Sequence, residues 1–457
     1  MAVDASFPGP GLVEQDPAEL LSSSSSAIDE ALAAAGARAA DVVALGIANQ
    51  TETFIVSERE SGRPVYPAIV WQDRRTAERC AALAAAGHAA SVRTRTGLKL
   101  DATFPATKVS WLLDHVDGAR AAAEAGELVY DDVAGWLVAH LTGVHACEAS
   151  NAGRTLLSSL GGAEWDEELL DIFGVPRALM PPIVDSDAIT EPAPSSAGIR
   201  VTGVLGDQQA SLLGLGCRRP GMAKITLGTG AFVMAQAGIE TPAPPPGVLA
   251  SCAWRRGGET SYALEGFIPA AGAALDWFAG LGVLTPGSEL DALLSEAGPE
   301  DGSVACVPAL QGLGTPDWNA SVRGALVGLT RATTRAHVAR AVVDGVLHQV
   351  ADALAAINVS MPLSTVLLDG GMSRSDWIVQ RLADLADIRV QRSAQSGATA
   401  VGAAIIAGLS TGFWSSFEEL PEVAVDRVAQ PRLARDQRGA LRARWTEAVA
   451  LAAQWQS

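Results

Sequence analysis

Gln50, Thr51 and Glu52 stand in a row of five polar residues, Asn49 to Thr53, directly after the apolar run ALGIA. An amide, a hydroxyl and a carboxylate at the end of a buried strand are the side chains with which an α/β protein holds a small polar ligand. A second constellation lies in VTGVLGDQQASLLGLG, where Asp207 falls between a buried strand and a helix. A carboxylate there faces the crevice and can take a proton from a bound hydroxyl, or it can simply cap the helix. Three glycine-rich turns follow in the same half. LGTGAFV (227–233) would let backbone N–H groups and the Thr229 hydroxyl approach a phosphate, or make a plain tight turn. LLDGGMSRSDW (367–377) ends a strand in Asp-Gly-Gly and starts a helix after Ser373 or Ser375, leaving room for a base or phosphate beside Gly371. It competes with an ordinary strand–helix turn. QGLGTPDW (311–318) is the third. Taken together, three glycine turns after strands and one crevice-facing Asp point to a nucleotide site, although neither a P-loop nor a GxGxxG pattern opens a helix.

The elements that must position these residues can be read from periodicity. Asp16-Pro17-Ala18-Glu19 starts a helix, and apolar spacing carries it through the serine run to Gly36. VVALGIA begins a strand, and FIVSERESGRPVYPAIVWQD reads as a hairpin around Ser61-Gly62. Helical segments extend to about residue 143, a hairpin-like stretch covers VHACEASNAGRTLL, and WDEELLDIFG is a helix. Residues 185–199 are loop. Then come the strand RVTGVLGD, the helix QQASLLGLG and the hairpin MAKITLGTGAFVMAQ. The Pro-rich 241–247 is a surface connection, a helix starts near Thr334, TVLLDGG is a strand and SDWIVQRLADLA a helix. Strands and helices alternate, so the expectation is two α/β lobes, 1–216 and 217–457.

The composition removes other classes. A chain of 457 residues exceeds one ordinary core. No apolar run is long enough to cross a bilayer, and MAVDASFPGPG has neither a basic nor an apolar leader region. A net charge of −18 argues against nucleic acid or an anionic membrane as partner. Cys80, Cys147, Cys217, Cys252 and Cys306 have no metal spacing and read as reduced core residues of a cytoplasmic protein.

With these residues in view, the chain resembles the FGGY carbohydrate kinases, and among them the glycerol kinases. The likeness runs in order through GLVEQDPAEL, NQTET, GRPVYPAIVWQDRRTAE, TKVSWLLDHV, SNAGRTLL, GDQQA, GMAKITLGTGAF, YALEG, GLGTPDW, LDGG and GALVGLTRATTRAHVARAVVD. It implies a two-lobed actin/hexokinase-like fold that closes on ATP, with Mg2+, and a small polyol or sugar. It implies further that Asp207 is the general base and a metal contact, with Gln208 as a substrate ligand. Gly228, Thr229 and Gly230 would form a phosphate loop. Gly272, Asp276, Gly371 and Ser375 would touch nucleotide, with Trp71 and Phe232 walling the substrate carbons. Glycerol kinases commonly form dimers or tetramers, so the resemblance is compatible with a homo-oligomer, while the sequence itself does not set the oligomeric state.

Three departures modify that expectation. Glycerol kinases carry NQRET where this sequence has NQTET, so Thr51 replaces an arginine, and Thr103 replaces a tyrosine. Each charged hydrogen bond lost is worth about 1.5–3 kcal/mol, and the vacated volume predicts a larger or differently hydroxylated substrate, such as a tetritol, pentitol or ketose; the alternatives are a true glycerol kinase with an altered pocket and a non-catalytic remnant of the fold. The family's Asp-x-Gly-Thr-Thr hairpin has no counterpart in these residues. The expectation is a first lobe lacking its initial strands, with exposed edges prone to association and little turnover. EPAPSSAGIRV is short and lacks a basic Gly-rich loop, so no control by a sugar bisphosphate is expected.

Overall fold

The computed structural model describes residues 3–188, 199–284, 289–298 and 304–455. Most of the 191–201 segment on which the regulatory expectation rests lies outside them. Helix α1 (Pro17–Ala35) begins where its sequence predicts: Asp16 accepts the Ala18 amide at 2.9 Å, and Gly36 closes the helix in the left-handed conformation.

The first lobe carries an antiparallel sheet in the order β1 (Ala5–Ser6), β2 (Glu14–Gln15), β5 (Ala68–Ile69), β4 (Phe54–Glu58) and β6 (Leu128–Asp132). Strand β3 (Leu45–Asn49) pairs in parallel with β9 (Val201–Gly206), and its other edge joins no strand among the described residues. A short parallel pair joins β7 (Cys147–Glu148) to β8 (Ile183–Val184). Helices α2 to α5 (Ala77–Ala85, Ala89–Thr96, Pro105–His115, Ala119–Glu124) and α8 (Glu167–Phe173) surround a core of Phe54, Tyr130, Leu112, Leu157 and Phe173. Helix α6 (Val133–Thr142) follows β6, and the single-turn α7 (Ala149–Ala152) follows β7.

The second lobe is built on a mixed sheet in the order β12 (Leu249–Arg256), β13 (Glu259–Ile268), β11 (Ala231–Gly238), β10 (Met222–Leu227), β16 (Thr365–Asp369), β17 (Val390–Ser393) and β18 (Val425–Ala429). A separate hairpin pairs β14 (Ala305–Val307) with β15 (Ala325–Val327). On one face of the sheet the long α12 (Arg335–Asn358) buries Val342, Val346 and Val350 against Ile225 and Val366. The remaining helices are α9 (Asp207–Gly214), α10 (Gly272–Gly280), α11 (Leu290–Glu296), α13 (Asp376–Ala386), α14 (Ala398–Ser410) and α15 (Arg435–Gln454).

Two stretches differ from the sequence reading. Residues 128–132 lie inside the span expected to be helical, yet they form β6, because every residue from Phe54 to Glu58 offers a ladder partner. Residues 144–157 are not a hairpin. After two residues of strand, the Glu148 carboxylate accepts the amides of Ser150 and Asn151 and so starts α7. The turn at Ser61-Gly62 is present, but its strands meet only at Phe54–Ile69 and Ser57–Pro64.

The lobes meet along α9 and α14, which touch backbone to backbone. A Cβ on Gly402 would lie 1.8 Å from the Ala210 carbonyl oxygen, and one on Gly214 would lie 1.9 Å from that of Ala398. Helix α14 also lies on β3 and β9, where Gly46 and Gly203 leave no room for a side chain against Ala403 and Ala407. Gly402→Val forces α14 away from α9. The urea midpoint of the variant is expected to fall by an amount corresponding to about 1–3 kcal/mol, and an unchanged midpoint would contradict this seam.

Candidate active site

At the end of β3 the chain reverses through Glu52, whose φ of 61° is left-handed. A non-glycine residue there costs about 1–3 kcal/mol and persists only when its surroundings hold it. They do so through both carboxylate oxygens. Oε1 accepts Nε of Arg154 at 2.6 Å, and Oε2 accepts the Thr51 hydroxyl at 2.6 Å. Arg154 donates its Nη1 to Glu265 of β13 at 2.6 Å and lies over the Phe104 ring. The guanidinium therefore sits between two carboxylates from opposite lobes, which hold its pKa above the ordinary range despite burial. Beneath this pair, Lys108 is wholly buried and donates to the carbonyls of Val70 and Thr103; burial lowers its pKa to about 7.

The structure changes the reading of both threonines. Thr51 is buried, and its hydroxyl is spent on Glu52. Its methyl group occupies the space beside Gly206, where an added Cβ would come within 2.5 Å of it. Thr103 donates to Asp101 at 2.7 Å, and Arg74 pairs with the same carboxylate at 2.6 Å. Gln50 donates to Gln15 at 2.6 Å. Trp71 is half-buried and fixed by a 3.2 Å bond from its amide to the Thr53 hydroxyl, while Phe232 packs on Phe267 with ring centroids 4.9 Å apart.

Asp207 is the first residue of α9, and the N-cap is Gly206. The carboxylate turns back onto the Gln208 amide at 2.8 Å, and the residue is partly buried. Burial and the nearby Glu52 charge push its pKa up to about 6, and Lys224 opposes them. Gln208 extends beside it and accepts Nζ of Lys224 at 2.5 Å.

The glycine turn lies at the end of β10. Gly228 and Gly230 close it with a 3.0 Å bond, and the first amides of α10 are consumed in holding it: Ala271 and Ala273 donate to the Thr229 carbonyl and Gly272 to that of Gly228. A Cβ on Gly272 would meet the Gly228 oxygen at 2.6 Å. A cavity of about 390 Å³ opens here, lined by Gly228, Thr229, Gly272, Asp276 and Gly371 together with Leu275, Leu284, Leu290 and Met372. Ser375 is not brought into that lining. It caps α13 through the Ile378 amide at 3.0 Å and donates to Asp291 of α11.

Arg154, Glu265, Lys224 and Lys108 belong to the site and were not singled out from the sequence. Lys224 did leave a signal, since it is an ammonium inside the otherwise apolar strand MAKITL. Arg154 left none, because its partners lie 102 and 111 residues away.

The site thus sets a carboxylate at a strand–helix junction, a polar run and a glycine turn on two α/β lobes. The chain belongs to the FGGY family of carbohydrate kinases, whose N-terminal domain matches residues 1–214 and whose C-terminal domain matches residues 223–411. It is 44% identical to the glycerol kinase of Aromatoleum aromaticum over 98% of this chain and 92% of that protein. It is 46% identical to the glycerol kinase of Rhodospirillum centenum over 97% and 90%. The Plasmodium falciparum glycerol kinase solved with ADP superposes with a TM-score of 0.94 at 26% identity, covering 100% of this chain and 93% of that one. A xylulose kinase from Lactobacillus acidophilus shares the fold with a TM-score of 0.87 at 18% identity, covering 99% and 91%. The chain is thus a carbohydrate kinase, a phosphotransferase with an alcohol group as acceptor.

Arg154→Met leaves the Glu52 and Glu265 carboxylates without their shared cation. The variant is expected to be less stable by about 3–5 kcal/mol in urea unfolding, and a loss below about 1 kcal/mol would show that the bridge is dispensable.

Proposed function

We propose that the chain transfers the terminal phosphoryl group of ATP to a hydroxyl of a small polyol or sugar, with Asp207 as general base. The observation that carries this is the placement of Asp207, partly buried at the head of α9 with its carboxyl pushed up to about 6. A base poised just below neutral pH is ionised when it is needed and basic enough to take a proton. The substrate oxygen gives its proton to Asp207 and bonds to the γ-phosphorus as the bond to ADP breaks. Glu52 accepts a substrate hydroxyl through its remaining lone pairs, Gln208 orients the reacting end, and Trp71 and Phe232 exclude water from the carbons. The amides of Thr229 and Gly230 hold phosphate oxygens, while the Gly228 amide stays within the turn, and Leu275, Leu284 and Met372 receive the base.

The residues fit magnesium. Asp207 faces the cleft, and the Asp369 Oδ1 is buried without a hydrogen-bond partner. No group of three His, Cys, Asp or Glu suited to a metal occurs among the described residues. The ion would therefore rest on one or two of these carboxylates together with phosphate and water. When bound it neutralises charge on the phosphates. Residues 1–216 serve as the substrate side and 217–457 as the nucleotide side of a cytoplasmic, self-associating enzyme.

The substrate preferred in this reading has four or five carbons. The hydroxyls of Thr51 and Thr103 are bonded within the protein, so neither position offers a free donor to grip a three-carbon ligand. Glycerol is the second reading, favoured by the identity to glycerol kinases.

Two measurements test this. Asp207→Asn is expected to lower kcat by about 10²–10⁴-fold. In the unaltered chain kcat/KM should fall as pH drops through about 6 and Asp207 takes up its proton; a profile flat to pH 5 would remove Asp207 as the base. Coupled ADP assays on glycerol, erythritol, pentitols and ketoses should give the largest kcat/KM beyond three carbons, and clear preference for glycerol would overturn the longer-substrate reading.

A further inference from the structure

QGLGTPDW (311–318) is the glycine turn that the nucleotide cavity does not use, since none of the described residues lining that cavity comes from it. It runs instead along the end of β13. The ladder from β12 ends at Glu265, and Thr315 takes over at Phe267. Its amide donates to the Phe267 carbonyl at 2.9 Å, and its hydroxyl accepts the Phe267 amide at 3.0 Å. The approach is so close that a Cβ on Gly314 would fall 1.9 Å from the same carbonyl oxygen. The loop therefore clamps the backbone of one residue.

Alternation along β13 decides where that residue points. Gly266 faces α12, because a Cβ there would lie 2.9 Å from that of Ala353, so Glu265 and Phe267 share the opposite face. Glu265 uses it to reach Arg154 of the first lobe. Phe267, one step closer to the end of the strand, lies against Phe232, its partner in the ladder. A Cβ on Gly230 would come within 3.3 Å of the Phe267 Cε2, so the ring also borders the glycine turn. Behind it stands Trp318, with ring centroids 6.5 Å apart. Trp318 has a left-handed φ of 49° and donates its indole N–H to the Gly247 carbonyl at 2.6 Å; Lys99 of the first lobe lies over its face at 5.2 Å. Both rings stay partly exposed. Backbone outliers of this kind gather at ligand clamps, and this one backs a ring set between the glycine turn and the bridge that joins the lobes.

We propose that Phe267 is a specificity-determining residue: backed by Trp318, it forms a wall of the polyol site on the side of the second lobe and limits the size of substrate that fits beside the Gly228–Gly230 turn. The inference rests on the proposed polyol site between Glu52 and Phe232. It separates from a purely structural role. Truncating a ring that only filled the core lowers turnover of every substrate alike, whereas truncating a wall changes the ratio between large and small ones.

The test is the ratio of kcat/KM for sorbitol to kcat/KM for the preferred polyol, at saturating ATP, in the unaltered chain and in Phe267→Ala. That ratio does not depend on the fraction of active enzyme, so a loss of stability cannot imitate the effect. Phe267→Ala should raise it by about tenfold or more, the scale on which room for one methylene is discriminated. An unchanged or lowered ratio would overturn the proposal. If Phe267→Ala does not fold, Phe267→Leu is measured in the same way, with a smaller rise expected and the same result overturning it. An unaltered chain that turns over no polyol would count against the proposed function instead. The wall is then read from calorimetric Kd values for sorbitol and erythritol, where Phe267→Ala should shift the preference toward sorbitol. An unshifted preference, or no binding of either polyol to either chain, would overturn it.

Discussion

One buried carboxylate sets the geometry from which the site is built. Glu148 is wholly enclosed, and its two oxygens accept the amides of Ser150 and Asn151, the Ser150 hydroxyl, the Asn151 side chain and the Ser186 hydroxyl. Burial alone would favour its neutral form and pushes its pKa to about 7, while this crowd of donors favours the charge. Each donor then reaches onward. The Ser150 oxygen receives the Gly206 amide, immediately before Asp207. Asn151 accepts the Asn49 side chain, immediately before the Gln50–Glu52 run, and Ser186 receives the amide of Arg255 on β12. The two strand ends that carry the substrate residues are therefore tied to one acid and to the opposite lobe.

Around this hub, buried polar contacts cross between the lobes. Arg154 follows the helix that Glu148 caps and lies between Glu52 and Glu265. Lys224 comes the other way, from β10 to Gln208. Buried pairs of this kind add little to stability compared with apolar packing, but they punish any arrangement that separates their members. The strained backbone at Glu52 fits that scheme, since the residue is held by its carboxylate rather than by its φ/ψ preference.

How much of this was legible depended on whether a residue's partner was near in sequence. Helix α1 announced itself because Asp16, Pro17 and Gly36 are local signals. Asp207 and the Gly228–Gly230 turn could be placed because strand–turn–helix transitions show in periodicity, and the family resemblance assigned them roles. Strand β6 was hidden because its identity comes from pairing with β4, some seventy residues earlier. Thr51 stood out in the sequence against the family pattern, but its bond to Glu52 and its contact with Gly206 emerged only in three dimensions. The same holds for Arg154, whose side chain would be an ordinary surface arginine in any other fold.

The packing of α14 has a consequence for how the chain is made. Its residues come late in the sequence, yet they lie on β3 and β9, where Gly46 and Gly203 admit their backbone. A nascent chain emerging from the ribosome completes those early strands long before the helix that covers them exists. Until then an apolar sheet face stays open to water and to chaperones, and the first lobe reaches its native form only when synthesis of the second is almost finished.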